Sequence, residues 1–386
     1  MEPKNILVVN GILHGHFTGS VEIVRELVSL GHNVTCYVID QFGERIKNIG
    51  AKVVIYNIDR SDFVKITNPN IPPFAYNALV FGRAYDAIFT LLSKDETKYD
   101  YYIFDSFFDI QEMNKILKIP LDKFVLIYTA FLFTDENVRD ISPQRKRGLE
   151  CANMKYNLDL HDFVDVHYIP NKFKKLILTS KYFHLRGEDT DNTCNFIGPN
   201  IEKRTIDENF KFKKDKKKKL IYISLGTIFN KEDNFYETCI EAFKDSEDYQ
   251  VIISVGEYID IKQIKDIPKN ISIFNYVPQT QLLPDVDIFV THAGLNSTQE
   301  GLLAGKPLIV IPQKYDQFDI SRRIEKLEAG IFLDKNKIKL TVDVLKNAVN
   351  NIVTNREKYK KGEDKIVESF KEGKNNRKSI YEKIFV

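Results

Sequence analysis

Short apolar runs, rich in β-branched residues, recur along this chain, and most are followed by a stretch with helical spacing. Residues 5–10 (NILVVN) read as a buried strand, and Val21, Val24, Leu27 and Val28 mark one face of a helix over about 20–30. Gly31 stops that helix, and residues 33–39 (NVTCYVI) form a second strand. A strand–helix–strand start predicts a parallel sheet with right-handed crossovers. The alternation continues with strands expected at 51–56, 101–104, 124–129, 176–179 and 193–197, and helices at 75–92 and 111–118. It resumes with strands at 220–224, 250–255, 271–274, 287–291 and 308–312, and helices at 235–243, 297–304, 321–327 and 342–353. A charged helical tail runs from about 358 to 384. The fold class is α/β.

The two series are separated by KFKKDKKKK at 211–219, the sharpest composition change in the chain, which reads as a solvated linker. A chain of 386 residues suits two domains. The expected division is a first domain over 1–205, a linker over 206–219, a second domain over 220–365 and a terminal helix over 366–386. With 56 basic and 54 acidic side chains the net charge is +2, which gives no electrostatic case for a nucleic-acid partner. No apolar run reaches the roughly 18 residues of a membrane span. The N-terminus enters a strand at once, without a signal peptide, and this points to the cytoplasm. Cys36, Cys151, Cys194 and Cys239 lack paired spacing and fit free thiols in a reducing compartment.

Candidate chemistry falls in two places. The first is a loop expected at 11–19, after the first strand, which carries His14 and His16. An imidazole at the carboxyl end of a parallel strand is well placed to act as a base near neutral pH. GILHGHFTG lacks the G-x-G-x-x-G spacing of a dinucleotide site. Asp105 ends the strand at 101–104, at the same sheet edge, and is the natural carboxylate partner; Asp109 is the fallback. The aromatic, mixed stretch 130–168 is a candidate acceptor pocket. The second place is 276–317, where a strand feeds the glycine loop His292-Ala293-Gly294-Leu295-Asn296 and a helix N-terminus. Free backbone N–H groups and the helix dipole favour an anion there. Ser297 and Glu300 also fit an S-x-x-E capping box, which would give both a purely structural role.

The order of residues over 276–317 resembles the C-terminal signature of family 1 glycosyltransferases, the UDP-sugar-dependent enzymes of the GT-B fold. That signature runs aromatic-x-Pro-Gln, a strand, T-H-x-G-x-N-S-x-x-E, G-x-P and Asp/Glu-Gln, and every position is filled here. The resemblance implies two Rossmann-like domains facing each other across a cleft. The N-terminal one would bind the acceptor and the C-terminal one the donor. It implies that His292 meets the β-phosphate, with Gly294, Asn296 and Ser297 as donors. Gly226 and Thr227 would form a second phosphate-contacting turn. Tyr276 stands where the family has tryptophan stacked on uracil, followed by Val277. Gln279 would meet the uracil edge, Glu300 the ribose hydroxyls, and Asp316 and Gln317 the sugar. His16 falls in a pattern like G-H-x-x-P, although Gly19 replaces the proline.

By resemblance the activity is inverting transfer of a hexose, with glucose the first candidate, from a UDP-sugar to a hydroxyl of an apolar small molecule such as a macrolide or flavonoid. No cofactor and no metal are expected, and Asp285-Val286-Asp287 and Asp189-Thr190-Asp191 read as chance D-x-D matches. Two alternatives stand beside this. One is a lipid or cell-envelope acceptor, with peripheral membrane contact through the Lys-rich run. The other is a GT-B-like nucleotide-sugar-binding protein without turnover.

Overall fold

The computed structural model describes residues 2–12, 14–57, 87–88, 90–106, 108, 114, 118–132, 173–201, 206–226, 234–256, 259–264, 266–314 and 316–386. The chain divides into two compact units. The first comprises residues 1–179, 188–202 and 373–386, and the second 180–187 and 203–372. The Lys-rich run expected as a linker lies inside the second unit. There Lys214 Nζ pairs with Asp287 at 2.8 Å and Lys218 Nζ donates to the Ser246 carbonyl.

Each unit holds one wholly parallel sheet among the described residues. The first sheet comprises β1 (Asn5–Val9), β2 (Asn33–Val38), β3 (Lys52–Ile55), β4 (Tyr101–Asp105), β5 (Phe124–Tyr128), β6 (Lys174–Ile177) and β7 (Cys194–Phe196), in the order β3-β2-β1-β4-β5-β6-β7. The second comprises β8 (Lys219–Ser224), β9 (Tyr249–Ser254), β10 (Ile271–Phe274), β11 (Ile288–Thr291), β12 (Leu308–Val310) and β13 (Gly330–Phe332), in the order β10-β9-β8-β11-β12-β13. The near-continuous apolar character of these strands follows from burial on both faces, and Ile6, Leu7, Val8, Leu220, Ile221 and Ile223 are fully buried. In the first sheet the strand order reverses between β1 and β4, and in the second between β8 and β11. Ligands of open parallel sheets bind outside the carboxyl ends of the strands at such a reversal. The two candidate clusters follow these four strands.

The tail forms two helices, Arg356–Asn375 and Arg377–Ile384, and the chain passes from the second unit to the first at residue 373. Arg377 is buried, pairs with Glu26 and donates to the carbonyls of Ile197, Gly198 and Pro199. Tyr381 donates to the same glutamate, and the Lys174 ammonium donates to the Ile384 carbonyl. A buried guanidinium with every carbonyl partner in place is a fixed anchor, because removing it would orphan several buried acceptors together.

Candidate active site

In the first unit the cluster is built on β1, β4 and β5. The sequence reading makes residues 11–19 a loop, but the helix starts at His14 and runs to Ser29. Its early start has a packing cause. Phe17 is fully buried and stacks on Phe42, with ring centroids 3.9 Å apart, and the Arg45 guanidinium lies over the same ring. This burial outweighs the weak helix propensity of a stretch with glycine at 15 and 19. His16 is thereby held on the first turn. Its Nδ1 lies 2.8 Å from Asp105 Oδ2, across 89 residues of sequence. β1 and β4 are neighbours in register, with Val9 opposite Phe104, and this carries Asp105 to the strand end beside the helix. Gly11 closes the approach: a Cβ there would stand 3.2 Å from Asp105 Oδ2 and 3.3 Å from His16 Cβ.

Asp105 is buried, and an ionised carboxylate only accepts hydrogen bonds. The His16 Nδ1–H therefore donates to it and Nε2 keeps its lone pair, the form a general base needs. His14 Nδ1 meets Thr18 Oγ1 on its own helix at 3.3 Å, and its ring lies edge-on to Phe42. Asp109, Thr227 and residues 133–168 of the expected acceptor pocket lie outside the described residues. A third side chain, unforeseen in the sequence, joins the pair: Thr129 Oγ1 is 2.8 Å from His16 Nδ1.

In the second unit the cluster gathers at the ends of β8 and β11. The His292 ring is gripped by two glycines. A Cβ at Gly226 would stand 2.7 Å from His292 Nε2, and one at Gly294 only 2.5 Å from it. Gly226 has φ +78°, a left-handed conformation that glycine adopts freely. Ala293 between His292 and Gly294 also has positive φ, +64°, which is strained for a side chain with a Cβ and is held by the surrounding loop. Burial drives the His292 imidazole down to about 4, although a hydrogen bond with the Ser224 backbone acts the other way. At pH 7 His292 is therefore neutral, and its single N–H is taken by the backbone carbonyl of Ser224.

The capping-box alternative fails. The helix runs Leu295–Leu303 with Gly294 at the N-cap and no side-chain cap bond, so Ser297 lies inside the first turn. Ser297 and Glu300 turn instead to Gln279. Its Nε2 donates to Glu300 Oε2 at 2.6 Å and to Ser297 Oγ at 3.2 Å. Glu300 is buried, whereas Tyr276, three residues before Gln279, is 56% exposed. Val277 between them is buried, and Asn275 Nδ2 anchors the turn to the carbonyls of Gly256 and Ile259. Asn296 is half-buried on the same first helical turn. Asp316 is the N-cap of the helix Gln317–Lys326. Gln317 is buried, and its Oε1 accepts from the backbone N–H of Gln313 and Lys314, which fixes the direction of its amide nitrogen. Asp287 of the first D-x-D match is committed to Lys214 and to the Leu220 N–H. In the second, Asp191 accepts from the Thr193 N–H.

The lowered value at His292 has a measurable consequence. Between pH 6.5 and 4 the unfolded chain takes up a proton at this residue that the folded chain refuses, so stability falls as the pH drops through that window. His184, held down to about 3 by burial and by Arg323 and Arg186, acts in the same direction. His292→Asn is expected to flatten, but not abolish, the loss of stability between pH 7 and 5 in urea unfolding. An unchanged slope would refute the lowered value at His292.

Comparison with known proteins identifies the family. Residues 243–371 match the family described as Erythromycin biosynthesis protein CIII-like, C-terminal domain. The NDP-glycosyltransferase YjiC of Bacillus licheniformis is 33% identical over 343 residues, covering 86% of this chain and 85% of that protein. The uncharacterized UDP-glucosyltransferase YdhE of Bacillus subtilis is 30% identical over 382 residues, covering 96% and 95%. Among solved structures, the glycotransferase of kitacinnamycin superposes with TM-score 0.75 at 23% identity, covering 96% of both chains. CalG4, the calicheamicin glycosyltransferase, does so with TM-score 0.72 at 21% identity, covering 99% of both. The chain belongs to the family 1 glycosyltransferases of the GT-B fold, the UDP-sugar-dependent enzymes that its 276–317 signature resembles.

Proposed function

We propose that this enzyme transfers a hexose, with glucose the first candidate, from a UDP-sugar to a hydroxyl of an apolar small molecule, with inversion and without a metal. The observation that carries the reading is the grip of Gly226 and Gly294 on a neutral His292 at the end of β11. The uncapped backbone N–H groups at the N-terminus of the helix Leu295–Leu303, beside this fixed ring, suit the charge that grows on a departing diphosphate. The Gln279–Glu300 pair supports the rest of the donor assignment. A carboxylate braced by an amide offers acceptor capacity to ribose hydroxyls, and the exposed Tyr276 ring offers a stacking face to a base. His16, oriented by Asp105, would take the acceptor proton as its oxygen attacks the anomeric carbon. Direct attack of this kind displaces UDP from the opposite face and so inverts the configuration.

Relatives support a small-molecule acceptor. Besides the bacterial proteins above, the oleandomycin glycosyltransferase of Streptomyces antibioticus is 22% identical over 375 residues. A membrane acceptor is less well supported. No helix among the described residues is long and apolar enough to cross a membrane, and two lysines of the 211–219 run are engaged within their own unit. Calorimetric titration in EDTA with UDP, UDP-glucose, UDP-N-acetylglucosamine and a TDP-sugar tests the donor assignment. Micromolar UDP binding with UDP-glucose preferred is the expected outcome. Preference for TDP would point to deoxysugar transfer, and absence of nucleotide binding would overturn the reading of the second unit.

A further inference from the structure

We propose that Thr129 is a positioning residue for the base: its hydroxyl, together with Asp105, locks the plane of the His16 ring and so the direction of Nε2. This rests on the reading of His16 as the base. A single hydrogen bond from Nδ1 fixes a distance but leaves the ring free to swing about the line joining nitrogen and oxygen. Two oxygens, each 2.8 Å from the same nitrogen, remove that freedom. Their chemistry is complementary. The carboxylate of Asp105 only accepts, so it selects the Nδ1–H form, while the hydroxyl of Thr129 shares that proton as a second acceptor. Both oxygens belong to buried residues, 3% and 7% exposed, which limits competition by water for Nδ1 on that side.

Thr129 reaches His16 because of Gly19. A Cβ at position 19 would stand 2.8 Å from Thr129 Cγ2 and 2.8 Å from Leu178 Cδ2. Thr129 directly follows β5, and Gly19 lies one helical turn beyond His16, so any larger residue at 19 pushes the threonine away from the imidazole. Gly19 is also where this chain departs from the G-H-x-x-P pattern. The replacement of proline by glycine is thus accounted for by the room that Thr129 needs.

The test uses the whole protein with 15N-labelled histidine and long-range imidazole spectra at pH 7, the His16 signals being assigned by their loss in His16→Ala. The Nδ1–H proton of His16 is expected to exchange with water about tenfold faster in Thr129→Val than in the native protein, as for loss of one hydrogen bond. Thr129→Ser, which keeps the hydroxyl, should restore the native rate. Gly19→Ala, which keeps the Thr129 hydroxyl but displaces it from the imidazole, should raise the rate in the same way and serves if Thr129→Val does not fold. With UDP-glucose and a flavonol acceptor, kcat should fall about tenfold in Thr129→Val with KM for UDP-glucose unchanged, and Thr129→Ser should keep most of the activity. Native exchange in Thr129→Val, or equal damage from serine and valine, would overturn the proposal. The imidazole measurement needs no substrate. If UDP fails to bind, the donor reading falls while this inference is still judged.

Discussion

Alanine at position 16 is expected to lower kcat by roughly 10²- to 10⁴-fold, the range spanned by loss of a positioned general base, and to leave the dissociation constant for UDP unchanged. The separation follows from where the groups lie. His16 and Asp105 belong to the first unit, and the candidate donor-binding side chains to the second. Asp105→Asn is expected to act in the same direction. Its amide offers an N–H towards Nδ1 and so favours the tautomer whose Nε2 carries the proton. Steady-state rates with UDP-glucose and calorimetry with UDP check both variants. A parallel loss of UDP affinity and turnover in His16→Ala would mean that the residue holds the fold or the donor rather than the acceptor proton.

The second large effect is expected from a single methyl group. Gly294 has φ −62° and ψ 139°, a conformation any residue adopts, so Gly294→Ala does not strain the backbone. Its Cβ nevertheless arrives 2.5 Å from His292 Nε2, and the imidazole has no room to retreat because Gly226 closes the other side. UDP binding is expected to weaken by about tenfold or more, near 1.4 kcal/mol. A double-mutant cycle isolates the cause. In a His292→Ala background the ring is gone, and the same Gly294→Ala change should do little. Equal effects in both backgrounds would show that the methyl group blocks the nucleotide directly.

How much of this could be read from the sequence depends on distance along the chain. The 276–317 stretch is legible because strand, loop and helix follow one another, so the residues around His292 are neighbours before the chain folds. Gln279 and Glu300 also lie within it, though their mutual hydrogen bond is not foreseeable, since S-x-x-E equally describes a capping box. The helix starts three residues earlier than that box requires, with Gly294 as its N-cap, and so Ser297 turns to other work. The first unit is harder. Asp105 is recognisable only as an aspartate at a strand end, and its pairing with His16 depends on β1 lying beside β4. Thr129 carries no local signal, because a threonine closing a strand is common and nothing near it hints at Gly19. The early start of the helix at His14 also escapes, since it depends on Phe42 receiving Phe17.

The anchoring of the tail bears on how the protein is made. Residues 373–386 belong to the first unit, and Arg377 fills an acceptor site formed by residues 197–199 and Glu26. On the ribosome, the second unit has all of its residues once 372 has emerged, while the first, begun much earlier, still lacks its anchor. The order of completion is therefore the reverse of the order of synthesis, because the guanidinium that binds the Ile197 carbonyl lies 180 residues further along the chain.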